Sequence, residues 1–338
     1  MPRRTLLTLA VVTAVLAGCG EQEPEKDPGP RIASGVCVAQ QTTDQGNIVP
    51  DFSTIVDCTE RHTYEVFGQL DVPRQAITGT TRSQRAANRD DLALPRELTR
   101  DSNQRVAFEK FADRECLRSW QTITGYARVE PNGTKAADAE VLPAFLGVTL
   151  GYSVVPEKEW LEGRQEVLCH ARFEEPETAQ GGERDARPRS SPTSALLVSG
   201  ALSPGFPAEL RACRAYENDK RETILMRSCT DRHVAEVLFF FEADAVFGKG
   251  FVERIRKRPT PKKFDRFDQA CADALPVLLG NDYDRKALRA FGSTARRWNG
   301  SSTPVRCDVG PTRFRNRDLA AGSVVGIGGQ KVKTLRVD

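Results

Sequence analysis

Histidine and glutamate recur at a fixed distance in two similar stretches of this chain. His62 and Glu65 lie in the phrase Cys-Thr-Glu-Arg-His-Thr-Tyr-Glu-Val that begins at Cys58, and His233 and Glu236 lie in a matching phrase about half a sequence later. An imidazole three residues from a carboxylate could act as a general base or hold a metal if the segment were helical. On a β-strand, side chains three residues apart point to opposite faces, so one phrase is not expected to build one site.

A metal would also need a third ligand. His170 follows Cys169, but Asp308 follows the matching Cys307, so the third histidine is not repeated. We therefore expect the repeated histidine to satisfy backbone groups around a disulfide turn, since buried polar groups normally serve such hydrogen bonds.

Two tryptophans are the other candidates for binding. Trp160 and Trp298 each stand nine residues before the last cysteine of their repeat. An exposed indole would suit glycan or partner binding, whereas the fixed distance from a cysteine favours packing against a disulfide. The candidate binding residues are His62, Glu65, His233, Glu236, Trp160 and Trp298.

The nine cysteines divide into one plus two sets of four. Cys19 ends an apolar run, four cysteines fall in each repeat, and the close pairs typical of zinc sites are absent from the sequence. In an oxidising compartment this pattern predicts disulfides, with three possible pairings in each repeat. We expect the first to join the second and the third to join the fourth, which gives Cys37–Cys58, Cys116–Cys169, Cys213–Cys229 and Cys271–Cys307.

The first residues predict export and a lipid anchor. Residues 1–18 carry Arg3 and Arg4, an apolar run too short to span a membrane, and a Leu-Ala-Gly ending before Cys19. This ending resembles a bacterial lipobox, in which the cysteine is lipidated. The chain is expected on the outer face of the cell membrane. Loss of Arg3 and Arg4 lowers the formal net charge from +3 to +1, which gives no indication of a nucleic-acid partner.

The chain divides into six parts by composition and repetition. These are a lipoprotein signal peptide at 1–18, a tether at 19–34, a first repeat at 35–173, a linker at 174–195, a second repeat at 196–328 and a C-terminal tail at 329–338.

Each repeat is predicted to contain a short sheet and one main helix. A β-prone run precedes each shared phrase and another leaves it, and we expect the two runs to form adjacent strands or one bent strand. Apolar residues at spacings of three and four then predict a helix that buries Cys116 or Cys271. Trp160 and Trp298 fall in runs predicted as strands. The fold class is α+β, with two tandem disulfide-stapled domains that each have a small antiparallel or mixed sheet.

The order of these residues resembles a known family, the septum-formation domain of actinobacterial exported and membrane-tethered proteins. The resemblance rests on residues in both copies: Cys58, His62, Glu65, Val66, Phe67, Cys116, Trp160, Gly163 and Cys169, then Cys229, His233, Glu236, Val237, Cys271, Trp298 and Cys307. The second copy departs from it at Leu238 and Gly300. Residues 321–326 look like the family's closing Gly-Ser strand. The resemblance implies an association with septum formation or the cell envelope.

The sequence contains none of the common hydrolase, protease or phosphate-loop motifs. We predict a membrane-anchored lipoprotein that is not an enzyme and has no cofactor. It would act as a binding or scaffold module for an unknown protein or cell-wall ligand in septum formation or envelope maintenance. The alternative is a metal-assisted hydrolase of cell-wall material, with the repeated histidines and glutamates as ligands or bases.

Overall fold

The computed structural model describes residues 35–43, 48–58, 62–73, 103–173, 201–202, 206–216, 224–257, 261–294, 304–312, 317–328 and 330–336. The predicted signal peptide, tether and linker lie outside these ranges, and so does Trp298. Among the described residues no helix combines the length and the apolar character that a membrane crossing requires.

The first repeat forms a five-stranded antiparallel sheet. Its strands are β1 (Val36–Thr42), β2 (Ile48–Val56), β3 (Tyr64–Asp71), β5 (Val148–Val154) and β6 (Glu166–Phe173), in the spatial order β2-β1-β3-β6-β5. Helix α1 (Asn103–Ile123) packs against this sheet, and the short α2 (Glu157–Leu161) precedes β6. The two-residue strand β4 (Leu142–Pro143) leaves this sheet to join the other one.

The second repeat has the same strand order. Its strands are β7 (Ala212–Tyr216), β8 (Ile224–Ser228), β9 (Ala235–Glu242), β10 (Leu288–Thr294) and β11 (Pro304–Pro311), in the order β8-β7-β9-β11-β10. Helices α3 (Ala243–Phe247), α4 (Phe251–Lys257) and α5 (Pro261–Leu279) follow β9, and β12 (Arg317–Leu319) pairs with β13 (Thr334–Arg336). The molecule is therefore α+β, and one strand plan occurs twice.

Each main helix lies on its sheet through the apolar face that the sequence predicts. In α1, Phe108, Ala112, Cys116 and Trp120 recur every fourth residue, and all four are buried. In α5 the backbone of β10 comes very close to the helix, because a Cβ at Gly292 would lie 2.4 Å from Phe267 Cβ. Glycine is required at this position since any side chain would push helix and strand apart.

All four predicted disulfides are confirmed. Cys37–Cys58 joins β1 to a residue two positions after the end of β2. Cys213–Cys229 joins β7 to the residue that directly follows β8. Cys116–Cys169 and Cys271–Cys307 join each main helix to strand β6 or β11. The pairs therefore occupy equivalent places in the two sheets.

The two cores exchange residues across the boundary between the repeats. Tyr126, Val129, Ala136, Ala139 and Val141 follow α1, yet they belong to the core formed by the second repeat. Three residues of the second repeat belong in turn to the core of the first, namely Ala201, Phe206 and Leu210. The domain boundaries themselves stay a prediction.

Backbone hydrogen bonds also join residues of the two repeats. Strand β4 pairs with β9 at Phe239 and Phe240, and Leu146 N donates to Leu210 O at 2.9 Å. The described residues consequently belong to one compact unit.

Three predictions about the elements are wrong. The strands before and after each shared phrase are not adjacent, because β1 lies between β2 and β3, and β7 lies between β8 and β9. Trp160 lies on helix α2 rather than on a strand. Residues 321–326 form bends and turns instead of a closing strand. The strand order and the position of residues 321–326 depend on contacts with distant parts of the chain, which the sequence pattern does not show.

Candidate functional site

His62 and Glu65 contact each other, contrary to the expectation that they would point apart. Their Nε2 and Oε1 atoms are 3.1 Å apart, and both side chains have no solvent exposure. The strand argument fails because β3 begins at Tyr64, so His62 lies in the bend before the strand and turns back toward Glu65. Because neither side chain is exposed, solvent does not reach this pair, which favours a structural role over a catalytic one.

Glu236 has different partners from Glu65. Ser323 donates its hydroxyl to Oε1 at 2.7 Å, and the backbone N–H of Val324 donates to Oε2 at 2.8 Å. The buried Arg211 guanidinium places Nε 4.0 Å from Oε1. The carboxylate thus holds residues 321–326 against the second repeat, with charge-assisted hydrogen bonds that are stronger than neutral ones.

The His233 ring contacts the backbone of Asp231 rather than Glu236. Its Nδ1 lies 2.8 Å from the carbonyl oxygen of Asp231, so Nδ1 carries the proton and donates. The backbone N–H and C=O of His233 bond with Leu319, which ties β12 to the start of β9. Burial lowers the pKa of His233 below its usual value, because it disfavours the charged imidazolium.

The two glutamates therefore differ in their surroundings although they occupy equivalent strand positions. Gly35 stands two residues before Cys37, where the second repeat has Arg211 two residues before Cys213. Glu65 Oε2 is buried without a hydrogen-bond partner, whereas both oxygens of Glu236 accept one. The two copies of the phrase thus do not build two equal sites.

His170 and Asp308, which follow Cys169 and Cys307, also have different partners. His170 Nε2 lies 3.2 Å from Ser153 Oγ, and burial lowers the pKa of His170 to about 4. Because burial opposes protonation of the imidazole, we expect His170 to be a weak base toward the Ser153 hydroxyl. Asp308 instead accepts from Arg214 at 2.7 Å and from Arg306 at 2.9 Å, and burial raises the pKa of its carboxyl although both arginines oppose this effect.

Each repeat places its histidine close to the hairpin disulfide. Ligand atoms of Cys37, His62 and Glu65 lie within 4.8 Å of one another, and so do those of Cys213, Cys229 and His233. Metals bind cysteine as the thiolate, so neither set offers a sulfur ligand while its disulfide is intact. In the oxidised protein the arrangement packs an imidazole beside a disulfide.

Trp160 does not present its indole to solvent. It is 1% exposed and belongs to the first core, together with Cys116 and Cys169. This position favours the packing role over glycan or partner binding. Three further residues matter to the glutamate and histidine contacts. Asp231 belongs to the repeated phrase and Ser323 to the segment that resembles the family's Gly-Ser strand, whereas Arg211 has Gly35 at the matching place and no motif that could indicate it.

Comparison of this chain with protein-family models, with curated proteins and with solved structures gave no match. The resemblance to the septum-formation domain stays a prediction.

Proposed function

We propose that this chain is an extracytoplasmic lipoprotein, anchored through Cys19, that acts as a non-enzymatic binding or scaffold module. The proposal includes a place in septum formation or envelope maintenance, which rests on the sequence resemblance alone. Four disulfides in two equivalent pairs support the oxidising compartment, because such bonds persist outside the cytosol.

The observation that carries the binding function is the outer strand of each sheet. Strands β2 and β8 are edges at equivalent places, and each pairs with one neighbour in the described part of the chain. Their surfaces expose apolar side chains: Ile55 is 58% exposed, Ile224 39% and Met226 42%.

An edge strand offers backbone N–H and C=O groups for pairing with another strand, and its side chains select the partner. Ile224 and Met226 lie two residues apart on β8, so they share one face of the strand. We propose that these edges receive an extended segment of an envelope protein.

Lysine substitutions on the edge strand β8 test this function. We expect Ile224→Lys with Met226→Lys to reduce cross-linking of the mature protein to its envelope partner by at least about tenfold, because an exposed edge lysine opposes strand pairing. Leu161→Lys is the matched control, since Leu161 is 69% exposed but lies on α2 rather than on a sheet edge. Equal cross-linking in the edge variant and the control would contradict the proposed surface.

The anchor has a separate test. We expect Cys19→Ser to release the protein from the membrane fraction and to remove the acyl mass from its first mature residue. A Cys19→Ser protein that stays with the membrane would show that the anchor is elsewhere.

The 3.1 Å contact between His62 and Glu65 keeps the hydrolase alternative testable. A metal-assisted hydrolase would retain a stoichiometric metal after dialysis and would lose stability in chelator. Because neither side chain of that pair is exposed, we expect the oxidised protein to contain substoichiometric metal and to unfold at the same temperature with and without chelator.

A further inference from the structure

The Cys213–Cys229 bridge and His233 form a group whose chemistry changes with the oxidation state of the sulfurs. A ring nitrogen of His233 lies within 4.8 Å of both sulfurs, and all three side chains are buried. As a disulfide, the two sulfurs are weak ligands. As thiolates, they are among the strongest protein ligands for zinc.

His233 is already prepared as a ligand. Its Nδ1–H donates to the Asp231 carbonyl at 2.8 Å, which leaves the lone pair on Nε2. Nε2 is buried and has no hydrogen-bond partner. Metal-binding histidines characteristically donate their second ring nitrogen to a backbone carbonyl or carboxylate, because this bond fixes the tautomer and the ring orientation.

The first repeat lacks this preparation. There His62 Nε2 contacts Glu65 at 3.1 Å, so the imidazole already has a carboxylate partner.

The second repeat also has the disulfide that closes the shortest loop, with a sequence separation of 16 against 21, 36 and 53 for the others. In the chain-entropy account a short loop gains the least from its cross-link.

The bridge also lies beside an edge of the sheet. It joins β7 to Cys229, the residue that follows β8, and β8 is the outermost strand. Displacement of an outer strand breaks the bonds to a single neighbour, so a reductant reaches this bridge with less loss of structure than it needs to reach the bridges on α1 and α5.

We propose that reduction of the Cys213–Cys229 disulfide by a dithiol creates a zinc site formed by both sulfurs and His233 Nε2. The dithiol transfers two electrons and two protons to the bridge and becomes a disulfide itself. Zinc then binds the two thiols as thiolates and releases their two protons to solvent. A water completes the tetrahedral shell. A small-molecule disulfide that accepts two electrons from the thiolates becomes two thiolates itself, re-forms the bridge and releases the zinc.

The site requires a modest rearrangement. Two thiolates on one tetrahedral zinc are roughly 3.8 Å apart, given zinc–sulfur bonds of about 2.3 Å, and this is farther than two bonded sulfurs. The Cα atoms are already 5.1 Å apart, so rotation of the two side chains after cleavage provides the additional separation.

Cobalt binding to the mature chain tests the site, because thiolate ligands give Co²⁺ an intense charge-transfer band. The parent for this experiment is Cys37→Ala with Cys58→Ala, which removes the hairpin bridge of the first repeat. The dithiol concentration is chosen by alkylation and mass mapping so that Cys213 and Cys229 are reduced. We expect one equivalent of Co²⁺ in the reduced parent, none in the oxidised parent, and displacement of Co²⁺ by Zn²⁺.

Two variants identify the ligands. Cys213→Ala with Cys229→Ala, in a chain that keeps Cys37 and Cys58, is the matched control and should show no band. His233→Gln in the parent keeps a donor for the Asp231 carbonyl but loses the imidazole, so we expect Co²⁺ affinity to fall by more than about tenfold.

A measurement without substitution covers the case in which His233→Gln does not fold. Long-range proton–nitrogen spectra of the reduced parent should show a zinc-dependent shift of His233 Nε2. The proposal is overturned if zinc does not shift the His233 Nε2 signal or if the reduced parent shows no Co²⁺ band. It is also overturned if the oxidised parent, or a folded His233→Gln variant, binds Co²⁺ as tightly as the reduced parent does. Opening of the bridge only together with global unfolding also overturns it.

Discussion

Ser323 donates its hydroxyl to Glu236 at 2.7 Å, across 87 residues of sequence. With the Val324 N–H it attaches the residues after β12 to the start of β9, where Glu236 lies. Val324 and Val325 are buried next to this contact, so a polar anchor and an apolar contact act together. The repeated glutamate thus has a structural task in the second repeat.

Loss of this hydroxyl should destabilise the protein. We expect Ser323→Ala to lower the free energy of unfolding by about 1.5 to 3 kcal/mol, because hydrogen bonds to a charged group fall in this range and Glu236 is fully buried. Urea unfolding measures the change. Ser228→Ala is the control, since its hydroxyl meets Thr230 Oγ1 at an exposed site, and it should cost no more than about 0.5 kcal/mol. Equal losses in both variants would argue against an anchoring role.

The buried His170 should make stability depend on pH. Its pKa is about 4 in the folded protein and 6.5 as the ordinary value, so the unfolded chain takes up a proton first as the pH falls. The contribution is fully present above about pH 6.5 and is lost as the pH falls toward 4. The free energy of unfolding falls by about 3 kcal/mol across this pH window. We expect His170→Gln to flatten the curve of unfolding free energy in this window, and an unchanged slope would contradict the burial of the imidazole.

The disulfides should differ in how much each adds to the free energy of unfolding. By the loop-entropy relation, Cys116–Cys169 with a separation of 53 stabilises by about 4 kcal/mol, and Cys213–Cys229 with a separation of 16 by about 3 kcal/mol. Paired alanine substitutions in urea unfolding compare the two. A larger loss for the Cys213–Cys229 pair would show that strain or packing, rather than loop length, dominates.

One hydroxyl should report on the contact between the repeats. Tyr126 donates to the carbonyl oxygen of Leu238 at 3.0 Å, and burial raises the pKa of Tyr126 to about 12. Tyr126→Phe leaves that carbonyl without this donor, so we expect a loss of about 1 to 2 kcal/mol in unfolding free energy. Tyr283→Phe, at a half-buried position after α5, should stay within about 0.5 kcal/mol of the unchanged protein. A silent Tyr126→Phe would mean that water replaces the donor.

The sequence predicts the parts of this fold that depend on short-range pattern. The helical faces around Cys116 and Cys271 follow from spacings of three and four. The repetition of four cysteines leaves three pairings in each repeat, and the expected one, first with second and third with fourth, is present. The strand order does not follow, because the neighbour of β3 is chosen by packing and by the Cys37 bridge rather than by adjacency in the chain.

The candidate site was harder to predict for the same reason. The phrase around His62 and Glu65 shows their spacing, but not that β3 begins between them. The partners of Glu236 are even further from local pattern, since Arg211 precedes it by 25 residues and Ser323 follows it by 87. A single sequence carries no signal for contacts of that range when they involve ordinary serine and arginine residues.

The exchange of core residues between the repeats has a consequence for how the molecule comes apart. Five residues between Tyr126 and Val141 complete the core of the second repeat, and Ala201, Phe206 and Leu210 complete that of the first. Neither half can melt while its neighbour stays intact, so heating should give a single calorimetric transition whose van't Hoff and calorimetric enthalpies agree. A cut in the chain between Phe173 and Ala201 should likewise leave two fragments that co-migrate in gel filtration, and each fragment made by itself should be incomplete.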